Sequence, residues 1–464
     1  MSRYRIDRWY GRAMDDATKQ ESGVNDADGQ TAPPQFQQYA IFAKSRSRAR
    51  SSAPAPRPCT HNIASKMIII IPLKTAKQYD IRAPLATWVD SSNPYITSEQ
   101  CQSDLVRLSS LRNCLTAGSI CTAYAHSAAI GARGMEDCME YHACLLEAEK
   151  RGFPTVDDAM VGAKELKISW NCAFGEEEPI VRRNIRYERT SVLFNVASLQ
   201  SYMGALEDLS SKEGRSNAIK MFGQAASTFD HLRTDLMDGE GKDENPSADL
   251  SSPALLMCEH INLAQGQYCA YEAATNRPAQ LHALLAKIAA AAADLYGSAL
   301  TYSQDPILKA RLPDTSKSYG AHLKTMSIYF QAKAEYHQSQ VCKADHSYAQ
   351  EIARLRFAQS CCDDALKYQS ETSVLASSKG AIRTTGQGVA LARDIDHLRK
   401  AVSGRRAAVE KENREIYMEI IPDHKDLEEI VPATMMAKEK LPPLDERLDP
   451  HSLTRPIFVT MDRI

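Results

Sequence analysis

The chain has 464 residues, 43% of them apolar and 25% charged, with a formal net charge of −2. That length allows one large domain or two to three ordinary ones, and the balance is that of a globular protein with ample core. Near-neutrality excludes a nucleic-acid binder driven by whole-chain charge, leaving only a local basic face. The longest aliphatic run, Ile68 to Ile71, is too short to span a bilayer.

Residues 1–66 do not read as folded structure. Ala32-Pro-Pro and the stretch from Ser45 to Pro58 are polar, basic and proline-rich, and bury too little to offset ordering entropy. Arg/Ser richness suggests a transit peptide, but Asp15, Asp16, Glu21, Asp26 and Asp28 argue against one. The expectation is a flexible leader, or an extension upstream of a protein that begins near Met67.

Ile68-Ile-Ile-Ile-Pro-Leu reads as a strand, with Pro72 at its end or on an edge. Leu166, Ile168 and Trp170 alternate with polar residues as a second strand, and the two are expected to pair as one small sheet. Helices are expected around 96–116, 118–130, 134–151, 181–208, 212–236, 251–275, 279–303, 316–344, 346–370 and 388–417. Loops are expected near 239–246, from 304 to 320, and from 377 to 388. From Pro422 onward prolines recur at 432, 442, 443, 450 and 456, which no helix survives, so an extended arm is expected there.

Twelve cysteines are scattered without a CxxC or a zinc-like Cys/His spacing, and read as buried thiols of a reducing compartment. G-x-S-x-G, H-E-x-x-H and G-x-x-x-x-G-K-[ST] are all absent. Cys101 and Arg107 have the spacing of a cysteine phosphatase loop, but Gln-Ser-Asp-Leu-Val between them lacks glycine and lies in an expected helix. Gly386 and Gly388 have no strand before them and read as a loop. His337 reads as a hydrogen-bonded structural histidine. Asp363-Asp364 and the run Glu176 to Glu178 read as solvated charge. Nothing in this inventory supports an enzyme, and neither a cofactor nor a metal is expected.

Ile328 to Lys343 and Tyr348 to Ala358 are strongly helical and joined by a short turn. Their positions Ala332, Ala334, Tyr336, Ile352, Leu355 and Ala358 suit an antiparallel helix pair, the unit of helical solenoids.

These segments and others, in the same order, resemble the Alix-type Bro-domain family. Met67-Ile-Ile-Ile-Ile-Pro-Leu-Lys-Thr is similar to its opening strand, and Ile168-Ser-Trp-Asn-Cys-Ala-Phe to its strand ending in Trp and Phe. Tyr187-Glu-Arg-Thr-Ser-Val-Leu-Phe-Asn-Val-Ala-Ser-Leu is close to its most recognisable helix. Leu263-Ala-Gln-Gly-Gln, Ala283-Leu-Leu-Ala-Lys-Ile, Ala334-Glu-Tyr-His-Gln-Ser, Glu351-Ile-Ala-Arg-Leu, Glu415-Ile-Tyr and Ile421-Pro-Asp-His-Lys-Asp-Leu continue the series. The resemblance covers about residues 67–455, with 456–464 as a tail.

The resemblance implies a mainly α fold: a curved, banana-shaped helical solenoid with a tetratricopeptide-like core and a small β-sheet near one end. It also implies a cytoplasmic, non-enzymatic adaptor recruited to endosomes. Its partner would be the C-terminal amphipathic helix of an ESCRT-III subunit, in multivesicular-body sorting and membrane scission. A pH-signalling scaffold using the same domain and a generic helical-repeat adaptor are the alternatives. By the family match, Leu284 and Ile288 are the apolar anchors on a concave surface, with Lys287 at the rim and Leu281, Leu285 and Leu295 turned to the core. The other wall carries an aromatic in the family. Here Ala270 aligns with it and Tyr271 follows. Tyr417 matches a tyrosine phosphorylated in some relatives. Lys66, Lys74, Lys77 and Arg82 are candidates for peripheral contact with anionic membrane.

Overall fold

The computed structural model describes residues 68–92, 97–116, 128–157, 166–238, 246–276, 281–374, 382–384 and 388–438. The leader, the tail and the Gly386 loop lie outside them. Eleven α-helices occur among the described residues. They are α1 Arg82–Ser92, α2 Gln102–Thr116, α3 Ala128–Lys150, α4 Ile185–Leu206, α5 Lys212–Asp238, α6 Ser252–Thr275, α7 His282–Ser303, α8 Pro306–Arg311, α9 Pro313–Ala344, α10 Tyr348–Val374 and α11 Gly388–Glu412. From α2 onward each long helix packs on the next in sequence, with α9 following α7. Such nearest-neighbour packing is what a solenoid of antiparallel helices requires.

The core is centred on α4, which Asn184 starts by accepting the Tyr187 amide at 2.8 Å. This helix is buried around nearly all of its circumference, so its polar residues need internal partners. Glu188, fully buried, accepts Arg112 Nε at 2.8 Å, Tyr141 OH at 3.0 Å and Trp170 Nε1 at 2.6 Å. Asn195 accepts the Lys74 amide and donates to the Lys74 carbonyl, fixing the chain after the first strand. Arg189 joins α3 to α5 through Glu149 and Asp235, each at 2.8 Å. Phe194 and Phe229 meet edge to face at 5.4 Å between α4 and α5.

The two expected strands do not form one sheet. β1 (Ile69–Ile70) pairs antiparallel with β4 (Arg383–Thr384), inside a stretch read from sequence as loop. β2 (Ile168–Trp170) pairs antiparallel with β3 (Ile180–Arg182), and a single bridge from Ala76 to Trp170 links the two regions. The physical reason is locality. β2 finds its partner across a short connection turned at Gly175 (φ 77°), which costs little closure entropy. The alternation read in β2 holds, since Leu166, Ile168 and Trp170 are all buried.

Several helix expectations change, and α1 forms where none was expected while β3 takes the first residues of the helix expected from 181. α3 runs unbroken through Gly131 and Gly134, because packing against α4 outweighs two glycines. The expected loop 304–320 contains α8 and the start of α9, each with proline in its first turn, where proline is tolerated. Asp305 caps α8 by accepting the Ile307 amide at 2.8 Å. Finally α11 stops at Glu412 and passes into a π-turn, Asn413–Tyr417, which ends at Met418 in the left-handed region (φ 53°).

From Glu419 to Lys438 the chain is without regular structure apart from one short turn at His424–Asp426. This arm crosses the helices in reverse order. Glu419 accepts the Ala349 amide at the start of α10, and His424 stacks on Phe357 at 3.7 Å while bonding Glu335 at 2.9 Å. Glu335 in turn holds Arg354 of α10 at 2.9 Å. At the far end Lys438 reaches Glu259 of α6 at 2.6 Å and Asp230 of α5 at 2.7 Å.

Candidate docking groove

α6 and α7 are antiparallel neighbours, and their facing stripes hold the residues singled out from sequence. Along α7, Ala283 and Lys287 are exposed and Leu284 is half-buried, while Leu285, Ile288 and Ala289 face inward. Ile288 therefore does not stand out as a surface anchor: only 2% of it is exposed. Leu281, read as core, is 55% exposed at the N-cap of α7, whereas Leu285 is core as expected. Leu295 is half-buried.

Ile288 belongs to the main core between the helices, and the arm crosses α7 beside it. The Ala433 amide donates to the Lys287 carbonyl at 2.9 Å. Gln267 of α6 donates to the carbonyls of Ile288 (3.0 Å) and Ala433 (2.9 Å) and accepts the Met435 amide (2.8 Å). Met436 then packs directly on Gly266, where any Cβ would collide with its side chain. The arm thus roofs the groove one helical turn from Ala270, and no sequence signal short of the recurring prolines announced it.

Ala270 and Tyr271 are both buried, and Tyr271 works inside the fold. Its hydroxyl bonds His337 Nε2 at 2.8 Å, and His337 Nδ1 faces His282 Nδ1 at 3.0 Å. Burial pushes His337 down to about 3 and also lowers His282, which favours the neutral form of both rings. Lys333 lies over the rings of Tyr271, Tyr329 and Phe330 at 4.4–4.9 Å, with its pKa lowered by burial. The reading of His337 as a structural histidine agrees with these contacts. They leave Tyr271 no freedom to serve as the aromatic wall.

Other candidates resolve as follows. Of the residues named for membrane contact, Lys74 is buried in an ion pair with Asp249 at 2.6 Å and so faces no membrane, Lys77 and Arg82 are exposed with Arg82 paired to Asp80, and Lys66 lies outside the described residues. Glu176 and Glu177 are not simply solvated. Glu176 accepts the Asp314 and Thr315 amides at the start of α9, and Glu177 holds Arg311 and the Ala248 amide. Cys101 is buried and Arg107 pairs with Glu140, so the phosphatase spacing is coincidence. No group of three or more metal-ligating side chains occurs among the described residues.

A family model for the BRO1-like domain matches residues 68–460. The chain belongs to the BRO1-like domain family. This BRO1-like domain is 30% identical over 274 residues to the pH-response regulator protein palA/RIM20 of Emericella nidulans, covering 59% of the chain and 30% of the relative. It is 27% identical over 412 residues to the mouse Programmed cell death 6-interacting protein, covering 85% of the chain and 42% of the relative. The chain therefore spans less than half the length of these relatives. Among solved structures, the ALIX BRO1 CHMP4C complex matches with a TM-score of 0.63 at 24% identity, over 82% of this chain and 97% of that one. That similarity establishes the fold, a curved mainly helical one.

Tyr417 of the BRO1-like domain lies in the π-turn, 38% exposed, with its ring stacked on Tyr348 at 3.9 Å. Ile416, Met418 and Ile420 around it are exposed.

Proposed function

We propose that this BRO1-like domain is an adaptor that docks the C-terminal amphipathic helix of an ESCRT-III subunit on its α6–α7 face. The supporting observation is family membership together with fold similarity to a BRO1 domain solved with CHMP4C. On that face Leu284 offers the apolar contact and Lys287 the charged rim, with Ile288 and Ala270 buried beneath them. A helix ligand would place apolar side chains against Leu284 at i, i+3 and i+4 spacing, and Lys287 would steer acidic residues. Such an adaptor acts from the cytoplasm at endosomal membranes, without chemistry of its own.

The test is fluorescence anisotropy with a labelled C-terminal helix of CHMP4C. Wild type is expected to bind, and Leu284→Asp to lose at least tenfold in affinity. No binding by folded wild type would remove the reading. Wild-type affinity in the Leu284→Asp variant would relocate the site.

A second reading is favoured by the 30% identity to palA/RIM20: a scaffold in a pH-response pathway. Restoration of the pH response in a fungal strain lacking that regulator would favour it.

A further inference from the structure

A second groove lies on the other side of the arm. α7 and α10 both pack against α9 and run antiparallel to it. Between them, α9 presents Lys317, Ala321, Lys324, Ser327, Gln331 and Ala334, three or four residues apart and so on one face. Two clefts of about 780 and 610 Å³ lie end to end along that stripe. From Lys317 to Glu335 the stripe is roughly 27 Å long at 1.5 Å per residue, the length of an 18-residue helix. The walls are low where it matters: Ala290, Ala293 and Gly297 of α7 face the cleft, so a helix backbone can approach closely.

The two ends carry opposite charge. At the arm end Asp294 of α7 faces Glu428 and Glu429 of the arm, and none of the three makes an ion pair among the described residues. Burial and then the charge of Glu429 push the Asp294 carboxyl upward. The other carboxylate at this end, Glu335, is paired with Arg354, and the cation Lys425, which also lines the cleft, is paired with Asp423 at 3.2 Å. At the far end Lys317 and Lys324 make no ion pair among the described residues, and Lys324 is laid against the Tyr368 ring at 4.1 Å. Glu371 is the acidic residue lining that end.

We propose that the α7–α9–α10 groove docks an amphipathic helix of a partner protein whose basic residues lie toward its N-terminus and acidic residues toward its C-terminus. The N-terminus sits at Asp294, Glu428 and Glu429, and the C-terminus at Lys317 and Lys324. In that direction the ligand runs antiparallel to α9, its floor, and its dipole reinforces the side-chain pairing at both ends. This surface is separate from Leu284 and independent of the ESCRT-III reading.

The test uses two hydrocarbon-stapled 18-residue helices of identical composition, with leucines along one face. One has lysines in its first two turns and glutamates in its last two, and the other has the same charges interspersed. The segregated helix is expected to bind at least tenfold more tightly by anisotropy at low salt. A photo-crosslinker on its N-terminus is expected to label α7 or the arm near Ala290 to Glu429. Lys317→Glu/Lys324→Glu is expected to abolish the preference. Gly297→Phe, whose side chain enters the groove, is expected to abolish binding while circular dichroism stays native. Equal binding of both helices, binding insensitive to Gly297→Phe, or loss of binding in Leu284→Asp would each overturn the proposal. Binding of the segregated helix with no binding of the CHMP4C helix would leave this groove standing and remove only the ESCRT-III reading.

Discussion

Gln267 and Ala433 are joined by a hydrogen bond of 2.9 Å, and the same side chain reaches Ile288 O and the Met435 amide. One buried amide on α6 thus closes the arm over α7. Gln267→Leu keeps roughly the volume but leaves the Ala433 carbonyl and the Met435 amide without this partner, each costing about 1–3 kcal/mol, while the Ile288 carbonyl keeps its helical bond. We expect a total loss of about 2–4 kcal/mol in urea unfolding and faster limited proteolysis within residues 428–438. Unchanged protease resistance would mean that the arm is held by its other contacts alone.

The packing of α7 separates two neighbouring aliphatic positions, Leu284 and Ile288. Ile288→Asp places a charge in the core with no partner, and is expected to destabilise the domain by about 3–5 kcal/mol. Leu284→Asp projects toward solvent and is expected to cost about 1 kcal/mol or less. A thermal melt of the two variants separates them. Binding loss in Ile288→Asp would then report unfolding, so Leu284→Asp is the variant that tests docking. Equal melting temperatures would show that Ile288 is reachable in solution.

Glu188 makes a third case, because three elements converge on one carboxylate: Arg112 of α2, Tyr141 of α3 and Trp170 of β2. Glu188→Ala strands the Arg112 guanidinium in the core, and should cost about 3–5 kcal/mol. Glu188→Gln retains a hydrogen-bond acceptor for Trp170 but loses the charge, and should still destabilise the fold. Removing both members, Glu188→Leu with Arg112→Met, is expected to recover much of the loss, because no buried charge remains. A double-mutant cycle in urea that gave additive losses would contradict this account.

How much of this was legible in the sequence depended on the range of the interaction. Amphipathic spacing located most long helices, and the alternation Leu166, Ile168, Trp170 located β2, because both patterns are local. Sheet pairing was not legible. β1 chooses a partner more than 300 residues away at Arg383–Thr384, and nothing in either short segment specifies the other. The prolines at Pro306 and Pro313 look like helix breakers because their place in the first turn is visible only once the helices are seen to start after Asp305 and Leu312. Leu284 and Ile288, one turn apart, look alike in sequence. Only the packing of α7 in the fold shows that Ile288 is core and Leu284 lies at its edge. Tyr271 likewise could be named but not oriented, because its partner His337 lies on a different helix.

Histidine burial gives the domain a definite response to acid. His322 in α9 is held down to about 4 and His337 to about 3, both chiefly by desolvation. An unfolded histidine titrates near 6.5, so the unfolded chain takes up protons first as pH falls. The stability each neutral histidine allows is therefore intact above about pH 6.5 and is lost at up to about 1.4 kcal/mol per pH unit below it, until the folded value is reached. Between pH 7.5 and pH 5 the loss amounts to about 2 kcal/mol for each residue. His322→Leu removes one titrating group while keeping the site apolar. Its urea midpoint is expected to fall less than that of wild type between those two pH values, by the equivalent of about 2 kcal/mol. If wild type and His322→Leu lose stability in parallel over that range, the neutral buried imidazole is not what makes the fold acid-sensitive.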